Sequence, residues 1–298
     1  MVRITLGLGV LAIALLVVFL LVGGRPAVTP SPTTSPTPAL DQALLSRRVT
    51  FLVVGTDQNA QRKARHEVPL TDSMIVVSIN ATHTKLTMIS VPRDTVGVPL
   101  EDGSTWNQKL NALYSQRGMK GLRGGLDTLL GATIDLTILV DMDDFGRIVD
   151  AFGGIDLTVP TAIVDPSIGL RITAGRHHLD GRTALLYSRS RHTTNDFDRA
   201  ARQQQVLRAL LARFVDPKAK IDIPALLSSL RSLQTDVPSD KLPTMAELAR
   251  RSKGATVTDA VLTPPRFYRV STTSSLGYIL VPDLAAIRAF SVPLLTGP

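Results

Sequence analysis

The chain has 298 residues, 44% of them hydrophobic, which is enough for one large domain or two ordinary ones with a proper core. Its formal net charge of +8 indicates an anionic partner such as nucleic acid, anionic lipid or a phosphorylated substrate, without choosing among them. The absence of cysteine excludes disulfides, a thiolate nucleophile and Cys-ligated zinc.

Residues 1–24 are predicted to form a transmembrane signal-anchor. Residues 4–22 carry no charge and are mostly apolar, and nineteen residues is about the length that a helix needs to cross a bilayer core of roughly 30 Å. A cleaved signal peptide is the alternative, although the following VGGRPAVTP contains no Ala-x-Ala cleavage pattern. We expect a single pass through the cell membrane, with the N-terminus in the cytoplasm and the rest of the chain outside it.

Residues 25–46 are rich in Pro, Thr and Ser, which predicts an extended tether. The globular domain is predicted to cover residues 47–298. No Pro- or Gly-rich linker divides this region, so we treat it as one domain.

The domain alternates predicted strands and helices, which is typical of an α/β fold in which helices cover a sheet. Strands are predicted at residues 48–55, 73–80, 85–92, 134–142, 155–160, 257–262 and 277–281. Helices are predicted at residues 107–118, 125–132, 143–154, 197–215, 224–233, 244–251 and 282–295. The second and third strands, joined by NATHT, are predicted to form a hairpin.

Four charged residues stand at the ends of the first three strands. If these strands lie antiparallel in sequence order, Asp57, Asp72, Arg93 and Asp94 meet at one end of the sheet. Two carboxylates completed by phosphate oxygens and water are a usual site for Mg²⁺, so Asp57 and Asp72 are candidate metal ligands. The alternative is that Asp57 closes a turn and Asp72 caps a strand.

An arginine-rich region follows. Between Arg171 and Arg213 the chain has nine arginines and no lysine. On a helix over residues 197–215, Arg199 and Gln203 share the apolar face and need partners, which a bound anion would supply. In an extended chain Arg189 and Arg191 would share one face, and guanidinium groups bind phosphate oxygens in pairs. The alternative is a structural network in which Asp196 and Asp198 neutralise these arginines.

Other polar residues are interpreted as structural. His177 and His178 are adjacent and are expected at the surface, and Asp141, Asp143 and Asp144 are expected to cap the helix that follows them. Neither a Gly-x-Ser-x-Gly elbow nor a Walker loop is present.

Several motifs together resemble the LytR-CpsA-Psr family. They occur in the family's order, between about residues 48 and 215: FLVVGTD, TDSMIVVSIN, KLTMISVPRDT, KLNALY, LVDMDDFGRIVDAFGGIDLTVP, LDGRTALLYSRSRHT and DFDRAARQQQVLRALL. The resemblance implies an α/β/α sandwich with a mixed central sheet around a hydrophobic pocket for a polyprenyl chain. It also implies a membrane-anchored enzyme, facing outside, that attaches glycopolymers such as teichoic acid or capsule to the cell wall.

Carried over residue by residue, the resemblance assigns Asp57 and Asp72 as ligands of Mg²⁺, with Mn²⁺ as an alternative. It assigns the pyrophosphate contacts to Arg93, Arg189, Arg191, Arg199 and Gln203, and it places Asp94 in the same catalytic motif. Relatives often carry an arginine shortly before the residue that matches Asp72, where this chain has Leu70 and Thr71. Two alternatives follow: Arg62 or Arg65 substitutes for it, or the anion site of this chain is weaker.

The function expected from this resemblance is a Mg²⁺-dependent phosphotransferase. It would move a glycopolymer from a polyprenyl-pyrophosphate carrier to peptidoglycan or another envelope acceptor, with Asp94, Asp196 or Asp198 as candidate general bases. The alternatives are a polyprenyl-pyrophosphate phosphatase and a non-catalytic, membrane-tethered lipid-binding or regulatory module. Nucleic acid is not an expected partner, because the basic region lacks aromatic stacking residues.

Overall fold

The computed structural model describes residues 40–192, 194–216, 218–230 and 233–297. The predicted transmembrane segment lies outside these ranges. Among the helices within them, none combines the length and the apolar character of a membrane span. The packed part of the chain begins before residue 47, because Leu45 is only 2% exposed.

The described chain alternates short and long elements. The strands are β1 (Val49–Thr56), β2 (Thr71–Ile79), β3 (Lys85–Ser90), β4 (Val98–Pro99), β5 (Thr105–Trp106), β6 (Leu136–Val140), β7 (Ile155–Val159), β8 (Ile163–Asp165), β9 (Leu170–Ile172), β10 (Gly175–Leu179), β11 (Gln234–Thr235), β12 (Thr256–Val261), β13 (Tyr268–Ser274) and β14 (Gly277–Pro282). The helices are α1 (Gln42–Leu45), α2 (Ala60–Ala64), α3 (Leu113–Leu130), α4 (Met142–Ala151), α5 (Gly181–Arg189), α6 (Asp196–Val215), α7 (Ile223–Leu230), α8 (Leu242–Arg251) and α9 (Leu284–Thr296).

The central sheet has the strand order β11-β6-β1-β2-β3-β12. Strands β1, β2 and β3 are antiparallel neighbours, as their sequence order predicts, and β2 and β3 form the predicted hairpin. Strand β6 is parallel to β1, and β12 is parallel to β3. The sheet is therefore mixed, which confirms the predicted α/β class.

Helices cover both faces of this sheet. Successive strand residues point to opposite sides, and here the residues on both sides are apolar and need to be covered. Phe51 joins one hydrophobic core with side chains of α4 to α8. Its neighbour Leu52 joins the other core with α3 and α9. The result is three layers, with the sheet in the middle.

The chain differs from the sequence prediction at YSRSR. Tyr187 to Arg189 form the last turn of α5, so the prediction of an extended segment was wrong. The helix begins at Asp180, whose side chain accepts a hydrogen bond from the Thr183 amide at 2.7 Å. Strand β13 and the small sheets that pair β4 with β5, β7 with β10 and β8 with β9 were not predicted as such.

Helices α4 and α5, which border the site described below, approach each other closely at two glycines. A Cβ atom on Gly181 would lie 2.1 Å from the carbonyl oxygen of Gly146 and 2.8 Å from Oδ2 of Asp150. The Gly181 amide also donates to Oδ1 of Asp150 at 2.7 Å. Glycine is therefore required at this contact.

We expect Gly181→Ala to lower the free energy of unfolding by about 1–3 kcal/mol, because the backbones must separate to admit the methyl group. Alanine has a higher helix propensity than glycine, so the helix propensity by itself would raise the free energy of unfolding. A measured loss would therefore come from the close contact. Urea denaturation measures the change. Gly254→Ala is the control, because nothing lies within 4 Å of its Cβ position. Equal stability of Gly181→Ala and the parent protein would contradict the close approach.

Candidate functional site

An apolar cavity of about 270 Å³ lies between the sheet and helices α4, α5 and α6. Its apolar walls come from strands β1, β2 and β6 and from these three helices. They are lined by Val53, Ile75, Val140, Phe145, Ile148, Leu185, Val206, Leu207 and Leu210. A cavity with such walls suits an extended hydrocarbon better than a polar ligand.

Polar side chains also line the cavity, and we call six of them the polar rim. Its members are Asp57, Arg62, Asp72, Ser73, Arg189 and Gln203. Asp57 follows the end of β1 and Asp72 begins β2, so the antiparallel pairing of these strands brings the two carboxylates to one end of the sheet. The sequence predicted this meeting from strand direction alone.

Beside the polar rim lies an arginine cluster, formed by Arg93, Arg191 and Arg199 around the carboxylate of Asp196. Oδ2 of Asp196 lies 3.0 Å from Nε of Arg93 and 3.2 Å from Nη2 of Arg199. Oδ1 of Asp196 lies 3.4 Å from Nη1 of Arg191. The arginines come from the chain after β3, the chain after α5 and helix α6, so the fold joins three separate segments at this carboxylate.

The arginine cluster is joined to the polar rim through Asp72. Nη1 of Arg93 donates to Oδ1 of Asp72 at 2.6 Å. Nη2 of Arg199 donates to the carbonyl oxygen of Asp72 at 3.4 Å, and its Nη1 lies 4.0 Å from Oδ2. The positive cluster is therefore in direct contact with the residues that line the apolar cavity.

Burial and neighbouring charges act in opposite directions on these groups. Burial alone would raise the pKa of Asp196, but Arg199, Arg93 and Arg191 outweigh it and hold that pKa below its usual value. Burial lowers the pKa of Arg199, while for Arg93 the carboxylates of Asp72 and Asp196 overcome burial and raise the pKa. Arginine stays protonated in either case, so the cluster stays positive.

Arg189 and Arg191 border a polar chamber of about 460 Å³ on the outer side of the rim. Its lining consists of Asp72, Asp165, Ser167, Ile168, Arg189, Arg191, His192, Arg199 and Gln203. Arg189 lines both this chamber and the apolar cavity, and within the described ranges it forms no ion pair. The two arginines reach the same site from the end of a helix, not from an extended strand.

The three consecutive glutamines of α6 point to three different parts of the molecule. Gln203 lines the cavity and the chamber, as predicted from its place on the helix. Gln204 donates to the Ser90 hydroxyl at 2.9 Å and to the Ala260 carbonyl at 2.8 Å. Gln205 accepts from the Tyr187 hydroxyl at 2.6 Å. Only the first glutamine is therefore available to a ligand.

Asp57 and Asp72 have the oxygen donors that a hard divalent cation needs. Asp57 accepts from the Leu70 amide at 2.9 Å and pairs with Arg62 at 2.9 Å, so it also closes its loop, as the alternative interpretation of the sequence held. Each carboxylate oxygen can accept more than one contact. No cluster of three or more His, Asp or Glu side chains suited to a metal occurs in the described ranges. The residues fit Mg²⁺ only as a site completed by substrate oxygens and water.

Asp94 and Asp198 do not line the cavity, and their side chains form structural ion pairs and hydrogen bonds. Oδ1 of Asp94 pairs with Lys109 at 2.8 Å, and its Oδ2 lies 3.7 Å from Nε of Arg93. The Asp198 side chain accepts from the Asn195 amide and completes the capping box of α6. Of the three candidate general bases, only Asp196 lines a cleft of this site, and its lowered pKa makes it a weak base.

The position of Arg62 was not predicted uniquely from the sequence. It was one of two candidates to replace a missing arginine, and the structure puts it on the polar rim, paired with Asp57. The other candidate, Arg65, pairs with Glu67 and is 64% exposed. Asp196 was expected from the sequence as a partner of the arginines, but its contact with three of them was not predicted. The available signal was its position in the first turn of an arginine-rich helix.

The remaining structural predictions hold for Asp141 and the two histidines, but Asp143 bonds to another helix and Asp144 pairs with Arg147. Asp141 caps α4 by accepting from the Asp144 amide at 2.7 Å, and Asp143 accepts from the Ala60 amide at 2.6 Å. His178 is exposed and pairs with Asp156, while His177 contacts the Thr173 carbonyl. Asp143, His177 and His178 do not line the apolar cavity, whereas Asp141 lines it next to Val140 and Met142.

Solved structures with a similar fold define the class of protein. TagV of B. subtilis superposes with a TM-score of 0.66, at 24% identity, over 84% of this chain and 98% of that chain. TagT bound to LIIa-WTA gives a TM-score of 0.67, at 19% identity, over 92% of this chain and 96% of that chain. The protein thus has the α/β fold, with a mixed central sheet, of these proteins.

The family profile described as the LytR_cpsA_psr family matches residues 29–273. The chain therefore belongs to the LytR-CpsA-Psr family. It is 36% identical over 160 residues to the polyisoprenyl-teichoic acid–peptidoglycan teichoic acid transferase TagV of Bacillus subtilis, over 51% of this chain and 41% of TagV. It is 30% identical over 195 residues to the regulatory protein MsrR of Staphylococcus aureus, over 64% of this chain and 57% of MsrR. The matches thus span about half the length of these relatives.

We expect Asp196→Asn to lower the free energy of unfolding by about 1–3 kcal/mol at pH 7, because three guanidinium groups lose their shared carboxylate. The folded-state pKa of Asp196 is depressed, so its contribution is present above the unfolded pKa of about 3.9 and is lost as pH falls through the folded pKa. The difference between the variant and the parent protein should shrink from pH 7 towards pH 3.

Urea denaturation at several pH values tests this expectation. Asp240→Asn is the control, because that side chain is 72% exposed and, among the described residues, its ion pair is with the next residue, Lys241, at 3.5 Å. A constant difference for Asp196→Asn across this pH range would show that its charge is not what stabilises the cluster.

Proposed function

We propose that the protein is a phosphotransferase that moves a glycopolymer from a polyprenyl-pyrophosphate carrier to a cell-envelope acceptor such as peptidoglycan. One observation carries the proposal. The apolar cavity and the arginine cluster share a boundary, since Asp72 and Gln203 line the cavity and both neighbouring clefts. A ligand that is apolar at one end and carries phosphates next to it matches this boundary.

The two parts of such a ligand would be bound by different forces. The hydrocarbon would replace water along walls such as Phe145, Leu207 and Leu210, which is favourable in proportion to the apolar area that is covered. The pyrophosphate would contact Arg93, Arg189, Arg191, Arg199 and Gln203. Guanidinium groups suit this task because each presents parallel N–H donors to two phosphate oxygens.

The proposed reaction is a displacement at phosphorus. An acceptor sugar hydroxyl forms a new bond to the glycan-linked phosphorus, the bond to the lipid phosphate breaks, and the lipid phosphate leaves with the bonding electrons. The hydroxyl proton passes to a base or to solvent. The arginines stabilise the negative charge that develops on the phosphate oxygens, and their positions are already set before the substrate arrives.

A divalent cation is part of the proposal. Asp57 and Asp72 would hold Mg²⁺, or Mn²⁺ in its place, together with substrate oxygens. The cation would supply further charge neutralisation at the pyrophosphate. The ion pairs of Asp57 with Arg62 and of Asp72 with Arg93 would then be shared with the cation and the phosphates.

The relatives support two readings of the family's role. The name of TagV describes a transferase of teichoic acid to peptidoglycan, which favours the proposed reaction for this chain. MsrR is named a regulatory protein, which favours a membrane-tethered lipid-binding or regulatory module as the second candidate. We place the protein in the cell membrane through residues 4–22, with its α/β domain outside the cytoplasm.

We expect Arg199→Lys to lower the transfer rate about one hundred to one thousand fold, because a lysine cannot replace the paired donors of a buried guanidinium at a developing charge. Arg208→Lys on the same helix is the matched control and should keep the parent rate. Arg208 lies on the opposite side, half exposed, and pairs with Asp259. The assay follows labelled glycan from a polyprenyl-pyrophosphate carrier into peptidoglycan.

The same assay without acceptor separates transfer from hydrolysis. Release of free glycan at an equal rate with and without peptidoglycan would replace the transferase with a polyprenyl-pyrophosphate phosphatase. Carrier that stays bound and is not consumed under either condition would favour the regulatory module. Mass spectrometry of co-purifying lipid identifies the bound carrier directly.

We expect chelation by EDTA to abolish transfer and added Mg²⁺ to restore it. Asp72→Asn should need a higher Mg²⁺ concentration for half-maximal rate, because one carboxylate charge is lost from the site. Asp240→Asn is again the exposed control. Full activity in EDTA would contradict the cation requirement and would leave the charge neutralisation to the arginines.

A further inference from the structure

Asp165 is a buried carboxylate whose contacts all go to nearby hydroxyl and amide groups. It ends strand β8 and is 2% exposed. Oδ1 accepts from the Ser167 hydroxyl at 2.5 Å, and Oδ2 accepts from the Ser190 hydroxyl at 2.7 Å and from the His192 amide at 3.4 Å. In the described part of the chain no lysine or arginine forms a salt bridge with it.

Two of these donors belong to the short segment that carries Arg189 and Arg191. Ser190 stands between the two arginines and is 1% exposed, so it is anchored while its neighbours face the polar chamber. The segment is held from the other side as well. The Arg202 guanidinium donates to the carbonyl of Ser190 and, at 3.1 Å, to the carbonyl of Tyr187.

Asp165 presents an ionised carboxylate to this segment at neutral pH. Hydrogen bonds from the Ser167 and Ser190 hydroxyls hold the pKa of Asp165 down to about 2. Hydrogen bonds that reach an ionised acceptor are shorter and stronger than those between neutral groups. The backbone from Arg189 to His192 is therefore fixed by one charged group at the Ser190 hydroxyl and by another at its carbonyl.

We propose that Asp165 is a positioning residue that fixes the backbone of residues 189–192, so that the Arg189 and Arg191 side chains converge on one phosphate-bearing ligand in the polar chamber. The inference rests on the proposed function only for the identity of that ligand, a lipid pyrophosphate. Arg189 most needs such support, because no ion pair in the described ranges holds it. A long side chain on a fixed backbone loses less conformational entropy when it binds than one on a mobile segment.

The test measures binding of geranyl pyrophosphate to the purified full-length protein by isothermal titration calorimetry. Asp165→Ala and Ser190→Ala are expected to weaken binding roughly tenfold, since a hydrogen bond to a charged group contributes on this scale. Asp165→Asn should bind with an affinity between those of Asp165→Ala and the parent protein, because it keeps the hydrogen bonds but loses the charge that strengthens them. Its amide oxygen can accept from Ser190 and His192, while its nitrogen donates to Ser167.

Asp156→Ala is the matched control and should bind as the parent protein does. Asp156 is 57% exposed on the neighbouring strand β7 and pairs only with His178 among the described residues. Parent-like binding by Asp165→Ala would overturn the inference. So would equal loss in Asp165→Asn and Asp165→Ala, because the hydrogen bonds that asparagine keeps to this segment would then contribute nothing to binding.

Trypsin cleavage of the folded protein tests the positioning without any ligand. Asp165→Ala, or Ser190→Ala if the former does not fold, is expected to speed native-state cleavage after Arg189 or Arg191 several-fold, at a temperature well below the melting temperatures of both the variant and the parent protein. Unchanged cleavage would overturn the inference. If the parent protein does not bind geranyl pyrophosphate but cleavage responds as expected, the proposed ligand fails and the positioning role stands.

Discussion

The carboxylate of Asp196 joins the guanidinium group of the distant Arg93 to those of the nearby Arg191 and Arg199 beside an apolar cavity, and the architecture of the site depends on this contact. Like charges held this close repel one another, so the cluster needs a shared anion. Asp196 lies in the first turn of α6, where the helix dipole also favours a negative charge. With Arg189 included, four guanidinium groups and the carboxylates of Asp72, Asp165 and Asp196 belong to the site, and the remaining positive charge is available to an anionic ligand.

The position of this charge follows from the direction of the strands. Because β1, β2 and β3 are antiparallel neighbours, the end of β1, the start of β2 and the end of β3 lie at the same end of the sheet. Helix α6 lines the neighbouring cavity with its apolar side chains Val206, Leu207 and Leu210. Apolar walls beside the arginines lower the local dielectric constant, which strengthens their attraction for a phosphate.

The site is also shaped by groups that no ligand touches. Arg202 is 8% exposed and binds backbone carbonyls, although it sits in the same arginine-rich segment as the ligand-facing residues. Gln204 and Gln205 link α6 to the sheet and to α5, while Gln203 alone faces the cavity. Residues of one chemical type thus divide into support and recognition according to their direction on the helix.

Residue spacing and chemical type were sufficient to predict the α/β class, the antiparallel β1-β2-β3 unit, the inward direction of Arg199 and Gln203, and the meeting of Asp57, Asp72 and Arg93. These features follow from local periodicity, turn residues and strand direction, which are properties of short stretches. The helical turn at Tyr187 to Arg189, the place of Arg62 on the rim and the three-way contact of Asp196 were decided only by the tertiary structure. Two of them depend on partners far away in sequence, Gly146 beside α5 and Arg93 beside Asp196. Arg62 pairs with Asp57 only five residues before it, and its place depends on how the loop between β1 and β2 folds back onto the cavity. The sequence shows which charged residues are present, but only packing decides which of them share one carboxylate.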